Sequence, residues 1–320
     1  MRRREFLTLI GSSVAWPHVV GAQQAKVYRV GVLLVGNADA ESFQKEMREG
    51  LRKAGYVEKQ NLMFEVRSAE GRLDLLPGLA AELVALKVDV LVALFTPCAL
   101  AAQKATREIP LVIVSGDPLG SGLVASLARP GGNVTGISLM AAEMNGKCVE
   151  LFRDIFPTVR RAGVLLNALD PFSKQVQAQV LLAGQTTGIE IVPSTMVREA
   201  TEIDAIFAAM KEKGAGAVVV QASLSTRNVA ELAVKHGLPA AAQTRSFTEV
   251  GGLISYGADG PPVFRQSAVF VTKILQGGNP ADIPIEQPTK FELVVNLRTA
   301  KALGISLPES FLLRADQVIE

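Results

Sequence analysis

The sequence predicts an α/β protein with two doubly wound, Rossmann-like lobes that are joined by a multi-strand hinge. Short apolar runs of strand length alternate with helical patterns, and this alternation occurs in two consecutive arrays along the chain. Of the 320 residues, 48% are hydrophobic but only 5% are aromatic, so aliphatic side chains supply the core. Such a composition is typical of buried parallel strands that are covered by helices on both faces.

The first array extends from residue 28 to residue 138. Its predicted strands lie at 28–35, 62–67, 88–95, 110–115 and 133–138, and its predicted helices at 40–54, 74–86 and 97–106. The last strand follows the turn-forming run Arg129-Pro130-Gly131-Gly132. These elements form one doubly wound unit.

The second array repeats the same order. Helices are predicted at 143–156, 171–187, 203–213 and 226–236, and strands at 162–167, 189–193, 217–221, 239–242 and 252–256. A helix at 263–276 and an extended segment at 283–296 follow, and they are too short to fold alone.

The tail must therefore pack onto the existing lobes, which requires several chain crossings between them. We expect these crossings near 138–142, 257–261 and 280–287, and together they would form a hinge that permits closure. The expected first lobe comprises residues 23–139 and about 260–283. The expected second lobe comprises 140–259 and about 284–320.

The N-terminus has the order of a secretory signal. Arg2, Arg3 and Arg4 precede an apolar stretch at 6–10, and small residues lead to Ala22. The arginine pair also fits the twin-arginine pattern, and the general secretion route stays open. We expect a signal peptide at 1–22 that is cleaved near Ala22, and a freely diffusing protein in the periplasm.

The charge balance argues against a polyanionic partner. Without residues 1–22, which hold three arginines and one glutamate, basic and acidic side chains are equal in number. Proteins that bind nucleic acid usually carry an excess of basic residues. We therefore expect no nucleic-acid partner.

Catalytic devices are not evident in the sequence. His236 is the only histidine after the signal, and it lies at a predicted helix end, where capping is its expected role. The glycine-rich run at 115–122 lacks the Gly-Lys-Ser/Thr ending of a phosphate-binding loop, and no metal-ligand cluster is present. Cys98 and Cys148 are expected to be buried thiols, although a disulfide stays open. The sequence therefore predicts a protein that is not an enzyme and holds no cofactor or metal.

Candidate ligand-binding residues follow from position alone. In open parallel sheets, ligands bind outside the carboxyl ends of the strands. The residues that follow the predicted strands are mostly polar and short, with Asp117 and Arg245 as candidate partners for a charged solute. The candidates are Asn37, Phe95, Thr96, Ser115, Asp117, Asn167, Gln221, Thr244, Arg245, Ser255 and Tyr256.

Several longer segments together resemble one known family. They read DPLGSGLV at 117–124, SLARPGGNVTG at 126–136, GGLISYG at 251–257, QPTKFELV at 287–294 and NLRTAKALG at 296–304. This pattern is similar to that of the ABC-transporter substrate-binding proteins of the TrpX and YtcQ type. The resemblance covers nearly the whole chain.

That resemblance implies a type I periplasmic-binding fold, export, and delivery of a solute to a permease and an ATPase. Characterised members bind tryptophan, tyrosine or phenylalanine. The segment that resembles the family's Tyr-Pro-Phe-Arg-Glu-Phe stretch here reads AQTRSF at 242–247, and Phe95 precedes Thr-Pro where relatives often have a small or polar residue. An amino acid, aromatic or not, or a small organic acid is therefore the expected ligand.

We accordingly expect a monomeric periplasmic solute-binding component of an ABC importer, whose lobes close around a small molecule. The leading alternative is a periplasmic ligand-sensing module for a receptor or kinase. An enzyme on the same scaffold would need a nucleophile and a base.

Overall fold

The computed structural model of the chain describes residues 26–192 and 195–320, which fold around two β-sheets. The predicted signal peptide at 1–22 lies outside the described residues. The first half of the chain contains β1 (Tyr28–Leu34), α1 (Asp39–Lys53), β2 (Leu62–Ser68), α2 (Leu76–Ala85), β3 (Val90–Leu94), α3 (Thr96–Ala105), β4 (Leu111–Ser115) and β5 (Val134–Ser138).

These five strands form a parallel sheet in the order β2-β1-β3-β4-β5. This is a doubly wound order, in which the first strand lies inside the sheet. All five residues of β3, Val-Leu-Val-Ala-Leu, are buried. The uninterrupted apolar run in the sequence follows from this, because a central parallel strand meets apolar side chains on both faces.

The second half continues with α4 (Ala141–Ile155), β6 (Arg161–Asn167), α5 (Ser173–Thr187), β7 (Glu190–Ile191), β8 (Thr195–Val197), α6 (Ile203–Glu212), β9 (Ala217–Val220), α7 (Arg227–Lys235), β10 (Ala240–Ala242), α8 (Arg245–Glu249), β11 (Ile254–Ala258), α9 (Gly260–Leu275), β12 (Phe291–Asn296), α10 (Leu297–Ala302), α11 (Glu309–Leu312) and β13 (Gln317–Ile319). The second sheet has the order β13-β12-β11-β10-β9-β6-β7, with β8 also paired to β6. In this sheet the β11–β12 pair is antiparallel.

The two sheets and their helices confirm the predicted α/β class. Five short elements, β8, α8, α10, α11 and β13, were not predicted, because segments of three to six residues give little periodicity to detect.

Helix α9 returns to the first sheet. The Phe264 ring meets the Phe43 ring of α1 edge to face, with 5.3 Å between centroids. On α1, Phe43, Met47 and Leu51 are fully buried and recur every four residues, so they form one apolar stripe. The contact is close because Gly50 has no side chain: a Cβ there would lie 2.6 Å from Cβ of Ala268.

The chain passes between the sheets three times. It does so after β5, between β11 and α9, and between Glu286 and β12. Glu286 still pairs with Ile137 of β5, and its backbone N–H donates to Gly136 O at 2.9 Å. Three crossings of this kind suit a hinge that keeps two lobes together while their angle changes.

The carboxyl ends of strands from both sheets face each other across a cleft, and the cleft is closed. Asn37 Nδ2 donates to Ala222 O at 3.1 Å, and Gln175 Nε2 donates to Gly120 O at 2.7 Å. Each of these bonds joins a loop that follows a strand of the first sheet to a segment that follows a strand of the second.

Candidate ligand-binding cleft

A small inner cavity lies at the centre of the cleft. The loops after β3 and β4 form one wall, and the loops after β6, β9 and β10 form the opposite wall. Its lining residues are Phe95, Thr96, Gly116, Asn145, Asp170, Phe172, Gln221, Ala222, Ser223 and Gln243.

Of the residues that the structure describes, Asp170 is the only charged one that lines this inner cavity. Its carboxylate accepts hydrogen bonds from Gln221 Nε2 at 2.7 Å, Ser223 Oγ at 3.1 Å and the Phe172 backbone N–H at 3.0 Å. Burial raises the pKa of Asp170 to about 6, against the effect of these three donors. Within the described ranges, no Lys, Arg or His forms an ion pair with Asp170.

The wall opposite Asp170 is the N-terminus of α3, which begins at Thr96. Thr96 Oγ1 lies 3.0 Å from Ser115 Oγ and accepts from the Gly116 backbone N–H at 3.2 Å. The first turn of a helix exposes N–H groups and the positive end of the helix dipole. The negative charge of Asp170 is near enough to this turn to add to the effect of burial in raising the pKa of Cys98.

Phe95 connects β3 to α3 in a sparsely populated backbone conformation. Its φ is 71°, which is uncommon for a residue other than glycine, and strain of this kind clusters at binding sites. The residue is buried and lines both the inner cavity and a second, outer one.

An outer cavity, open to solvent, lies beside the inner one, toward the crossing between β11 and α9. Phe95 and Gln243 line both cavities, so the two are adjacent. The other lining residues are Asp39, Ser42, Leu139, Thr244, Arg245, Ser246, Glu249, Ala258, Gly260, Pro261, Val263 and Phe264.

Five of the predicted site residues line these two cavities. Phe95, Thr96 and Gln221 line the inner one, and Thr244 and Arg245 join Phe95 at the outer one.

Two more predicted residues lie elsewhere in the cleft. Asn167 lines a separate open groove that also borders the strand ends. Asn37 is buried and donates across the cleft to Ala222 O.

The remaining predicted residues do not line either cavity. Asp117 Oδ1 accepts from the backbone N–H groups of Leu119 and Gly120 and so closes its own loop. Ser115 Oγ forms a hydrogen bond with Thr96 Oγ1 but does not itself line the cavity. Ser255 is buried in β11, and the Tyr256 ring stacks on the Phe291 ring.

The prediction omitted the acidic residues that the structure places in the cleft. From the loop after β6 it took Asn167, whereas Asp170 lies in the inner cavity. Asp39 is in the first turn of α1, where an acidic residue is common for helix stability alone. Asn145 comes from the first turns of α4, and no strand-end rule could have found it.

Among the described residues, groups suited to catalysis are not assembled in the cleft. His236 lies at the end of α7, where its Nε2 contacts Asp204 Oδ1 at 2.6 Å. Cys98 and Cys148 are buried and unpaired, as expected. Across residues 26–192 and 195–320, no cluster of three or more metal-binding side chains occurs, and no helix is long and apolar enough to span a membrane.

Comparison with known proteins decides the family. The family described as "ABC transporter substrate binding protein" matches residues 29–319. The chain belongs to this family. The family resemblance predicted from the sequence is therefore confirmed.

Relatives of this substrate-binding protein include a curated "Tyrosine-binding protein" of Clostridioides difficile. It is 26% identical over 286 residues, which is 85% of this chain and 79% of the relative. A conserved domain protein of Vibrio cholerae is 29% identical with a TM-score of 0.85, and the match covers 92% of this chain and all of that one. The ABC domain of a Streptococcus pneumoniae protein in complex with L-Trp is 27% identical with a TM-score of 0.84, over 92% and 100% of the two chains.

These neighbours confirm the predicted two-lobed fold of a substrate-binding protein. Because the family consists of solute-binding proteins, the prediction that the chain is not an enzyme is also confirmed.

Proposed function

We propose that this substrate-binding protein is the periplasmic component of an ABC importer, and that it captures an amino acid in the inner cavity. The observation that carries the proposal is the pairing of Asp170 on one wall with the N-terminus of α3 on the other. One wall is acidic and the opposite wall is electropositive, so each charged group of a zwitterion would meet a wall of the opposite sign.

The α-ammonium group of the amino acid would bind Asp170. A buried carboxylate that accepts three hydrogen bonds but has no ion-pair partner still carries an uncompensated charge. An ammonium group supplies the compensating positive charge and donates hydrogen bonds to the free acceptor sites of the carboxylate.

The α-carboxylate would bind the first turn of α3. Anions are stabilised at a helix N-terminus by free N–H groups and by the helix dipole, and the Thr96 hydroxyl adds a donor. Asn145 Oδ1 is buried and has no hydrogen-bond partner within the described part of the chain, so it offers one further acceptor to the ammonium.

Capture would proceed by closure of the lobes. Asp170 belongs to the second sheet's side of the cleft and α3 to the first, so a zwitterion that contacts both stabilises the closed form. The contacts between Asn37 and Ala222 and between Gln175 and Gly120 belong to that form. A permease that recognises closed lobes would then receive loaded protein only.

Two relatives support an amino acid as the solute, since one is named for tyrosine and the other was solved with L-Trp. The expected signal peptide at 1–22 supports export to the periplasm.

A thermal-shift screen of the twenty amino acids on residues 23–320 tests the proposal. A ligand at 100 times its Kd stabilises a protein by about 2.7 kcal/mol, so the correct amino acid raises Tm by several degrees. Trp16, the single tryptophan, precedes Ala22, so bound tryptophan can also be followed by its own fluorescence.

The N-acetyl and the amide derivatives of the best amino acid are the matched controls. The first lacks the ammonium charge and the second lacks the carboxylate, so both should lose the shift. If no amino acid raises Tm, or if both derivatives bind as well as the parent, the proposal is wrong. Stimulation of a reconstituted permease and ATPase by loaded protein would test the importer role.

A further inference from the structure

The outer cavity adjoins the inner one at Phe95 and Gln243. If the α-amino and α-carboxyl groups occupy the inner cavity, the side chain of the solute can extend only where open space adjoins it. The residues that line the outer cavity therefore influence which solute side chain is accepted. Most of them are apolar, including Leu139, Val263 and Phe264.

A buried carboxylate interrupts these apolar walls. Asp39 is 4% exposed, and one of its oxygens accepts from Asn37 Nδ2 at a long 3.3 Å. Burial raises its pKa to about 6, and Glu249 adds to the rise. In the described part of the chain, no cationic side chain pairs with Asp39.

Neighbouring hydroxyl groups are poorly satisfied. Ser246 is 6% exposed, and its hydroxyl is only a weak donor to Asp39, which opposes the rise of the Asp39 pKa. Thr244 Oγ1 is buried without a described partner. Native proteins rarely leave such groups unpaired, so their presence in an open cavity indicates a ligand that completes them.

Among the described residues, Arg245 is the only basic one that lines this cavity, and it is already paired. Arg245 Nε lies 2.8 Å from Glu249 Oε1, and its Nη1 lies 3.3 Å from Glu292 Oε2. Because two carboxylates already pair with this guanidinium, the further carboxyl group of Asp39 makes the cavity favour a positive or hydrogen-donating group.

Helix stability alone does not account for the burial of Asp39. Glu41 lies in the same first turn of α1 and is exposed, so it can interact with the helix dipole without losing its water. A carboxylate needed only for the dipole would gain nothing from burial in a cleft.

We propose that the outer cavity is a side-chain subsite that selects amino acids whose side chain ends in a hydrogen-bond donor, an amine or a phenol, with Asp39 as the acceptor. This inference rests on the proposed function. A purely hydrocarbon side chain would leave Asp39 with only its weak bonds from Asn37 and Ser246 and would bury the Thr244 hydroxyl without a partner, and a side chain that ends in a carboxylate would be repelled.

Two matched pairs of amino acids test the subsite by isothermal titration calorimetry on residues 23–320. Tyrosine against phenylalanine differs by one phenol hydroxyl, and lysine against norleucine differs by one amine. A hydrogen bond to a charged group corresponds to about a 10- to 100-fold change in affinity, so the donor-bearing member of at least one pair should bind tighter by that factor. The pair that responds identifies the donor as a phenol or an amine.

Variants of Asp39 assign the selectivity to this residue. Asp39→Asn keeps the shape and removes the charge, so a preference for lysine should fall to less than threefold. Asp39→Ala removes the acceptor, so a preference for tyrosine should fall likewise. Glu41→Gln is the control, since it removes a charge from the same helical turn outside the cavity, and it should keep the wild-type preference. Circular dichroism confirms that each variant folds.

The outcomes separate this inference from the proposed function. If no amino acid binds, the proposed function fails. If amino acids bind but both members of each pair bind equally, or if leucine or glutamate binds tighter than every donor-bearing amino acid, only the subsite is overturned. Selectivity that survives in both Asp39 variants also overturns it.

Discussion

Replacement of Asp170 by asparagine is the most direct test of how this substrate-binding protein holds its solute. The change preserves the size of the side chain, removes its negative charge and replaces one acceptor oxygen by an NH2 donor. The position is buried, and its carboxylate is held by Gln221, Ser223 and the Phe172 backbone. The substitution therefore acts at the place where we expect the ligand ammonium to bind.

The magnitude follows from two opposing effects. Loss of one partner from a buried, hydrogen-bonded charge pair costs about 2–5 kcal/mol, which corresponds to about a 30- to 4,000-fold weaker Kd. A pKa of about 6 for Asp170 means that burying its charge costs the closed protein up to about 3 kcal/mol near neutral pH, and asparagine relieves this cost. We therefore expect a loss near the lower part of the range, about 100-fold.

Isothermal titration calorimetry with the best amino acid from the thermal-shift screen measures this change. Asp154→Asn is the matched control, because Asp154 is half-exposed on the same side of the cleft and pairs with Arg314 at 2.8 Å. It should bind as the wild type does. An Asp170→Asn protein that is folded by circular dichroism and binds within threefold of the wild-type Kd would refute the reasoning.

Two further predictions concern closure and pH. A Cβ at Gly116 would lie 2.7 Å from the Phe172 ring across the cleft, so Gly116→Ala should prop the lobes apart and weaken binding by about 10- to 100-fold in calorimetry. Gly78→Ala, where a Cβ meets nothing within 4 Å, is its control, and equal affinities would contradict the prediction. Burial raises the pKa of Asp39 and of Asp170 to about 6 in the folded state, above the pKa of an unfolded aspartate. Each protonated carboxyl therefore stabilises the folded state fully at pH values below the unfolded pKa, and this contribution is lost as the pH rises through 6. The free energy of unfolding, measured by urea titration without ligand, should therefore be higher at pH 5 than at pH 7.5 by about 1.4 kcal/mol per carboxyl, and a flat profile would contradict this.

The sequence by itself determined the class of the fold. Strands such as β3 are buried on both faces, so they read as unbroken apolar runs, and helix α1 carries an apolar stripe at every fourth residue. Both signals are local, because a strand or helix must present its apolar side chains with the period of its own backbone. The rule that ligands bind at the carboxyl ends of parallel strands also indicated the edge of each sheet at which the cleft lies.

Only the tertiary structure decided which strand-end residues share a cavity. Asp117 and Asp170 both follow buried strands and look alike in sequence, but Asp117 turns back onto the N–H groups of its own loop, whereas Asp170 is held in the cavity by side chains about 50 positions away. The role of Asp39 likewise depends on α8 and α9, which approach it from distant parts of the chain. Burial and electrostatic environment are set by neighbours in space rather than in sequence, so local patterns could locate the cleft but not the carboxylates within it.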